Sequence, residues 1–167
     1  AAALTCMVAD LTIGNDKWKD GWKCAENAQS LAIKIFTEAG KLAQDDSDSF
    51  DSVMESFKLP KSTEDEIQSR RTAIRNATLQ AALVPYQTAE LAYSLLAVLP
   101  ELAKRGNANA VSDVGVASLL ASAAAKGALF NVDINLQSLP SEMVGDLAQK
   151  SEDLLEKQIW IRNKNQD

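Results

Sequence analysis

The chain contains no histidine. That removes Ser-His-Asp and Cys-His nucleophilic catalysis, imidazole-ligated metal sites and the usual near-neutral proton shuttle, leaving Asp, Glu, Lys, Tyr or Cys for any acid-base chemistry. Cysteine is scarce too. Cys6 and Cys24 are too few for a four-thiolate zinc site, and one possible bridge in 167 residues is not a disulfide framework. They read as reduced thiols of a cytoplasmic protein, inert in packing because neither has a base beside it in sequence. No metal and no cofactor is expected. Basic charge is in deficit, with 17 Lys plus Arg against 23 Asp plus Glu, and aromatics are limited to three Trp, two Tyr and four Phe. Nucleic acid needs a basic face or stacking platforms, so no nucleic-acid partner is expected.

Long uncharged apolar runs are missing as well. The Ala-, Val- and Leu-rich stretch from Ala110 to Phe130 contains Asp113 and Lys126, which makes it a poor bilayer span, and no membrane partner is expected. The opening Ala1-Ala2-Ala3-Leu4 lacks the basic flank of a secretory signal and reads as the back half of a helix.

What remains is a helix former's composition. Only seven Gly and four Pro punctuate 167 residues, and no segment sustains the alternation of a strand. A turn at Gly14-Asn15-Asp16 precedes a stripe of Trp22, Leu31, Ile35, Ala39 and Leu42, predicting a helix that ends near Ala43. Asp45, Asp46 and Asp48 then read as the start of another helix carrying Phe50, Val53, Met54 and Phe57, stopped by Leu59-Pro60. Ser62-Thr63-Glu64-Asp65 starts the next, with Ile67, Ile74, Ala77 and Ala81 on one face. Pro85 interrupts that pattern and Ala89, Ala92, Leu96 and Leu99 resume it, which fits one helix or two stacked ones. Gly106 ends it, and Asn107 or Asn109 caps an Ala-rich helix running to about Asn131 or beyond. A turn at Ser138-Leu139-Pro140 leads to a last amphipathic helix, and Asn163 to Asp167 should fray. The prediction is an all-α chain, an up-and-down bundle of about five to six helices in a single domain over 1–167.

Chemistry has few places to reside. Asp113 is the carboxylate on the small-residue face of the Ala-rich helix, either satisfied by Asn109 and the helix start or poised in a dry cleft. Asn131 lies 18 residues further on, on the same face but about 27 Å away along a straight helix. Asn131 and Asn135 therefore reach Asp113 only through a bend or a symmetry-related copy; their plainer role is capping the helix end. Lys58, Lys61, Arg70, Arg71 and Arg75 form a local basic cluster, a seat for an anionic tail or an ordinary solvated face. Trp18, Trp22 and Trp160 are stacking partners for a flat heterocycle or simple packing anchors.

Several strings, in order along nearly the whole chain, resemble the formiminotetrahydrofolate cyclodeaminase and methenyltetrahydrofolate cyclohydrolase family. They are Met7-Val8-Ala9-Asp10-Leu11-Thr12, Phe50-Asp51-Ser52-Val53-Met54, Phe57-Lys58-Leu59-Pro60-Lys61, Val84-Pro85, the run from Gly106 through Asn109, Ser112 and Asp113 to Ala117, and Gly127 through Asn131 to Asn135. The resemblance implies an elongated helical homodimer that takes a tetrahydrofolate derivative as substrate. It implies Asp113 for proton transfer or cation stabilisation, Asn109, Ser112, Asn131 and Asn135 for orienting the substrate, and Lys58 and Lys61 for its anionic tail. Two departures from the family pattern stand out: Asp10 stands where the family typically has Asn, and the Pro-Gly-Gly-Gly-Ser stretch that normally precedes the family's first helix is absent from this sequence. The implied activities are cyclodeamination and cyclohydrolysis; a non-catalytic folate-binding or scaffold bundle is the alternative.

Overall fold

The computed structural model describes residues 1–164, with side chains through Lys157; Trp160 and the residues beyond Lys164 lie outside that description. Five α-helices run up and down: α1 Ala2–Thr12, α2 Trp22–Phe57, α3 Glu64–Arg105, α4 Val111–Gln137 and α5 Ser141–Lys164. Short 3-10 turns at Asp16–Gly21 and Ala108–Ala110 lead into α2 and α4. No strand occurs among the described residues, so the all-α expectation holds.

α3 is the spine. It packs along α2 on one side and α4 on the other; α1 lies against α2 and α4, and α5 covers the far end of α3 and α4. Small residues make this possible, since Ala25, Ala28 and Ala32 of α2, Ala89 of α3 and Ala117, Ala121 and Ala125 of α4 are all buried. Short side chains let helix axes approach closely. Leu95, Leu99, Leu102 and Val8 fill the volume between them. A second, smaller core joins Ala82, Val132, Leu136 and Leu147 under α5.

One sequence expectation is corrected, and one alternative that the sequence left open is decided. α2 does not stop near Ala43: it continues through Asp45–Asp48 to Phe57 as one helix of 36 residues, about 54 Å long. The acidic tract lies mid-helix, where Gln44 donates to Asp48 and Ser49 donates to the Asp46 carbonyl instead of an Asp capping a new start. Of the two arrangements that fitted the pattern around Pro85, the single helix is the one observed: α3 is one helix of 42 residues with Pro85 and Pro100 inside it. Its start was legible to within one residue, the capping box being Thr63 with Glu66 where the sequence pointed to Ser62 with Asp65, and Gly106 ends it. α3 and the stretch 108–137 are also long and apolar enough to cross a membrane by length and composition, which the charges at Asp113 and Lys126 had argued against. In the bundle their apolar faces lie against each other and against α1, α2 and α5.

Candidate functional site

A cavity of about 590 Å³ is bordered by Ala1 and the first turn of α1, by α2, by α3 and by α4. Its walls are apolar: Ile35, Phe36, Ala39 and Leu42 from α2, Pro85, Leu91 and Ala92 from α3, and Ala121, Ala124, Gly127 and Ala128 from α4. Asp46, Thr88 and Asn131 supply polar atoms at its edge. A mostly apolar cleft of this size with a few convergent polar groups is the usual form of a small-molecule site. A shallower groove between α1 and α2, lined by Cys6, Met7, Asp10, Ile33 and Phe36, continues from it past Ala3; there Asp10 accepts a hydrogen bond from Gln29.

Of the residues singled out from sequence, the cavity takes in Asn131. Asp113 is half-buried in the first turn of α4, eight residues and about 12 Å before the first cavity-lining position, Ala121. Because α4 is unbroken from Val111 to Gln137, Asp113 and Asn131 stay about 27 Å apart within one chain. Ser112 and Asn109 are exposed at the same end of α4. Neither Asn107 nor Asn109 caps α4 itself, whose N-cap is Ala110 without a side-chain hydrogen bond; Asn107 caps the 3-10 turn Ala108–Ala110 that leads into it. The Asn107 side chain accepts from Asn109 N at 3.0 Å and donates to the Leu11 carbonyl at 3.0 Å, while Asn107 N donates to the buried Thr12 Oγ1 at 3.0 Å. This knot ties the end of α1 to the start of α4.

Asn135 is half-buried, and its Nδ2 donates at 3.0 Å to the Ala81 carbonyl of α3. Lys58 and Lys61 are exposed at the tip of the α2–α3 hairpin. Lys58 pairs with Glu55 at 2.6 Å, and that hydrogen bond and charge hold its ammonium above the ordinary range. Arg70 is spent on structure: its Nε and Nη2 donate to the Phe57 carbonyl at the end of α2, and its guanidinium lies 5.5 Å from the Phe57 ring. Trp22 donates to the Asn15 carbonyl, and Lys17 lies over Trp18. Cys6 and Cys24 are free; burial and then the charge of Asp10 push the Cys6 thiol up, and burial and then Glu101 push up Cys24. Among the described residues no group of three His, Cys, Asp or Glu could hold a metal ion.

Asp46 and Thr88 were missed as site residues. Asp46 looked like a capping residue because its neighbours are acidic, and Thr88 carries no local signal; only helix packing brings them to one cavity.

Comparison with known proteins agrees with this architecture. The chain is 35% identical over 142 residues to methenyltetrahydrofolate cyclohydrolase of Methylorubrum extorquens, covering 83% of this chain and 66% of that protein. It is 34% identical to formimidoyltransferase-cyclodeaminase of Gallus gallus, covering 84% of this chain and 26% of that one. It thus spans under two thirds of the length of either relative. The crystal structure of formiminotetrahydrofolate cyclodeaminase from Thermotoga maritima superposes with a TM-score of 0.82 at 27% identity, covering 96% of this chain and 76% of that one. With residues 1–153 matching the family described as formiminotransferase-cyclodeaminase, the chain belongs to that family.

Proposed function

We propose that the chain acts on a tetrahydrofolate derivative at the formyl-level carbon held between two nitrogens. In cyclodeamination the bridge nitrogen attacks the formimino carbon and ammonia leaves; in cyclohydrolysis water attacks the methenyl carbon and the ring opens. Both pass through a tetrahedral carbon, and both are served by positioning plus one carboxylic group that moves a proton or faces a cationic amidinium. The observation that carries the reading is the apolar cavity between α2, α3 and α4, large enough for a flat heterocycle and edged by the Asn131 amide. The names borne by the relatives support the same substrate class.

In this reading Asp113 is the proton-transfer or charge-stabilising group, and Asn109, Ser112 and Asn131 orient the substrate. Lys58 lies 12 residues beyond Asp46 along α2, about 18 Å from the cavity edge, and with Lys61 receives the anionic tail. The distance from Asp113 to Asn131 favours a homodimer in which one copy's Asp113 meets the other's cavity. An exposed stripe of Val116, Leu119, Leu120, Phe130 and Ile134, on the side of α4 opposite its buried alanines, offers the apolar surface for it. Free thiols at Cys6 and Cys24 suit a cytoplasmic setting.

The test is to incubate the protein separately with formiminotetrahydrofolate and methenyltetrahydrofolate and follow the methenyl absorbance. Its appearance identifies the deaminase and its accelerated disappearance the hydrolase. Asp113→Asn keeps size and removes charge, and is expected to lower turnover about a hundredfold, as for general acid-base residues, in a dimer of unchanged helix content. Lys61→Ala is expected to weaken binding, more for polyglutamated folates, with a smaller effect on the chemical step. Folate binding without turnover supports a non-catalytic bundle instead, a reading favoured by the absence of Asp113 from the cavity lining.

A further inference from the structure

Pro85 has no N–H, so the Ala81 carbonyl one turn earlier in α3 loses the hydrogen bond a helix would give it. That carbonyl faces α4 across a partly buried contact, where the cost of leaving an acceptor without a donor is high. Asn135 Nδ2 donates to it at 3.0 Å from α4. The pairing lies one turn from the cavity lining on both helices: Pro85 is buried and lines the cavity, and Asn131, one turn before Asn135 on the same side of α4, lines it too. Two walls of the cavity are thus joined by one side-chain hydrogen bond whose need is created by the proline in one of them.

We propose that Asn135 is a positioning residue that stands in for the backbone hydrogen bond Pro85 deletes, fixing the register of α3 on α4 and with it the placement of Asn131 at the cavity edge. Its amide holds protein, not ligand. The proposal rests on the folate reading only for the identity of the ligand.

A four-member cycle decides it: wild type, Asn135→Leu, Pro85→Ala and the double variant, each measured for melting temperature and for equilibrium binding of 5-formyltetrahydrofolate. Pro85→Ala returns an N–H to the Ala81 carbonyl, so Asn135 becomes dispensable. Asn135→Leu alone is expected to lower the melting temperature by about 3 °C and to weaken folate binding roughly tenfold, as one lost hydrogen bond does. In the Pro85→Ala background both effects should fall to within about 1 °C and about twofold, a coupling that a side chain acting independently lacks. Equal losses in both backgrounds would show Asn135 touching the ligand or merely packing, and overturn the proposal, as would no loss in either. If the wild type binds no folate, the folate reading fails; the melting-temperature cycle then decides alone, coupling supporting Asn135 and additivity overturning it. Should Asn135→Leu not fold, Asn135→Asp, which keeps the shape but offers only acceptors when ionised, is read in the same cycle.

Discussion

The two longest helices lead different lives at their two ends. Every buried residue of α2 lies at or before Leu42, and every buried residue of α3 lies at or after Thr78. In the body, α1 and α4 close over the pair and the interfaces are made of alanine. Between Ala43 and Ala77 no side chain is buried, and α2 and α3 form an arm with Phe50, Met54, Phe57 and Leu59 facing solvent. The arm is ordered by local devices, namely the Thr63–Glu66 capping box, the Arg70 contact to Phe57 and short-range pairs such as Lys58–Glu55. Helical regularity therefore survives without a third layer, while shape-specific packing is concentrated where the third and fourth helices arrive. Because local devices contribute tenths of a kilocalorie each, the arm should tolerate change that the body does not.

The sharpest way to break this contrast is Gly21→Ala. A Cβ there would lie 2.0 Å from the Arg105 carbonyl oxygen and 2.7 Å from its carbon, both backbone atoms with no freedom to give. A loss of at least about 3 kcal/mol is expected, read by urea denaturation, because overpacking at a rigid contact forces the backbone apart. Thr12→Val comes next. Thr12 is fully buried, donates to the Val8 carbonyl at 2.8 Å and accepts from Asn107 N. Valine keeps the volume and leaves the Asn107 N–H unpaired, for an expected cost of about 2 kcal/mol. Gly115→Ala should act in the opposite direction, since a Cβ at Gly115 of α4 meets nothing within 4 Å. The gain is about 0.5–1 kcal/mol in thermal melts, from helix propensity alone. Phe50→Ser on the arm is the smallest, within about 0.5 kcal/mol for a residue 62% exposed. A larger loss that depends on protein concentration would show the arm's apolar face covered by a second copy and erase the contrast in the assembled protein.

Much of this molecule is written locally. The absence of strands follows from alanine content and the scarcity of glycine and proline, and the turn after α1 follows from Gly14, whose φ of 77° suits glycine alone. The capping box at Thr63, the stop at Gly106 and the start of α5 after Pro140 were legible because each depends on residues within four positions. One local signal misled, and another stayed ambiguous. Asp45–Asp48 carries the chemistry of a helix start but sits in a helix already propagating, where extending costs less than restarting. Pro85 carries the chemistry of a break, yet Asn135, 50 positions later in sequence, supplies the donor that offsets it. Helical arithmetic placed Asp113 and Asn131 on one face about 27 Å apart if the helix were straight, and the unbroken α4 keeps that separation. The cavity itself was invisible, because Asp46, Thr88 and Asn131 come to it from three helices whose crossing no short window encodes. Sequence by itself determined the helices, most of their ends and the family; tertiary structure decided which small faces close on one another, and therefore where a ligand can enter.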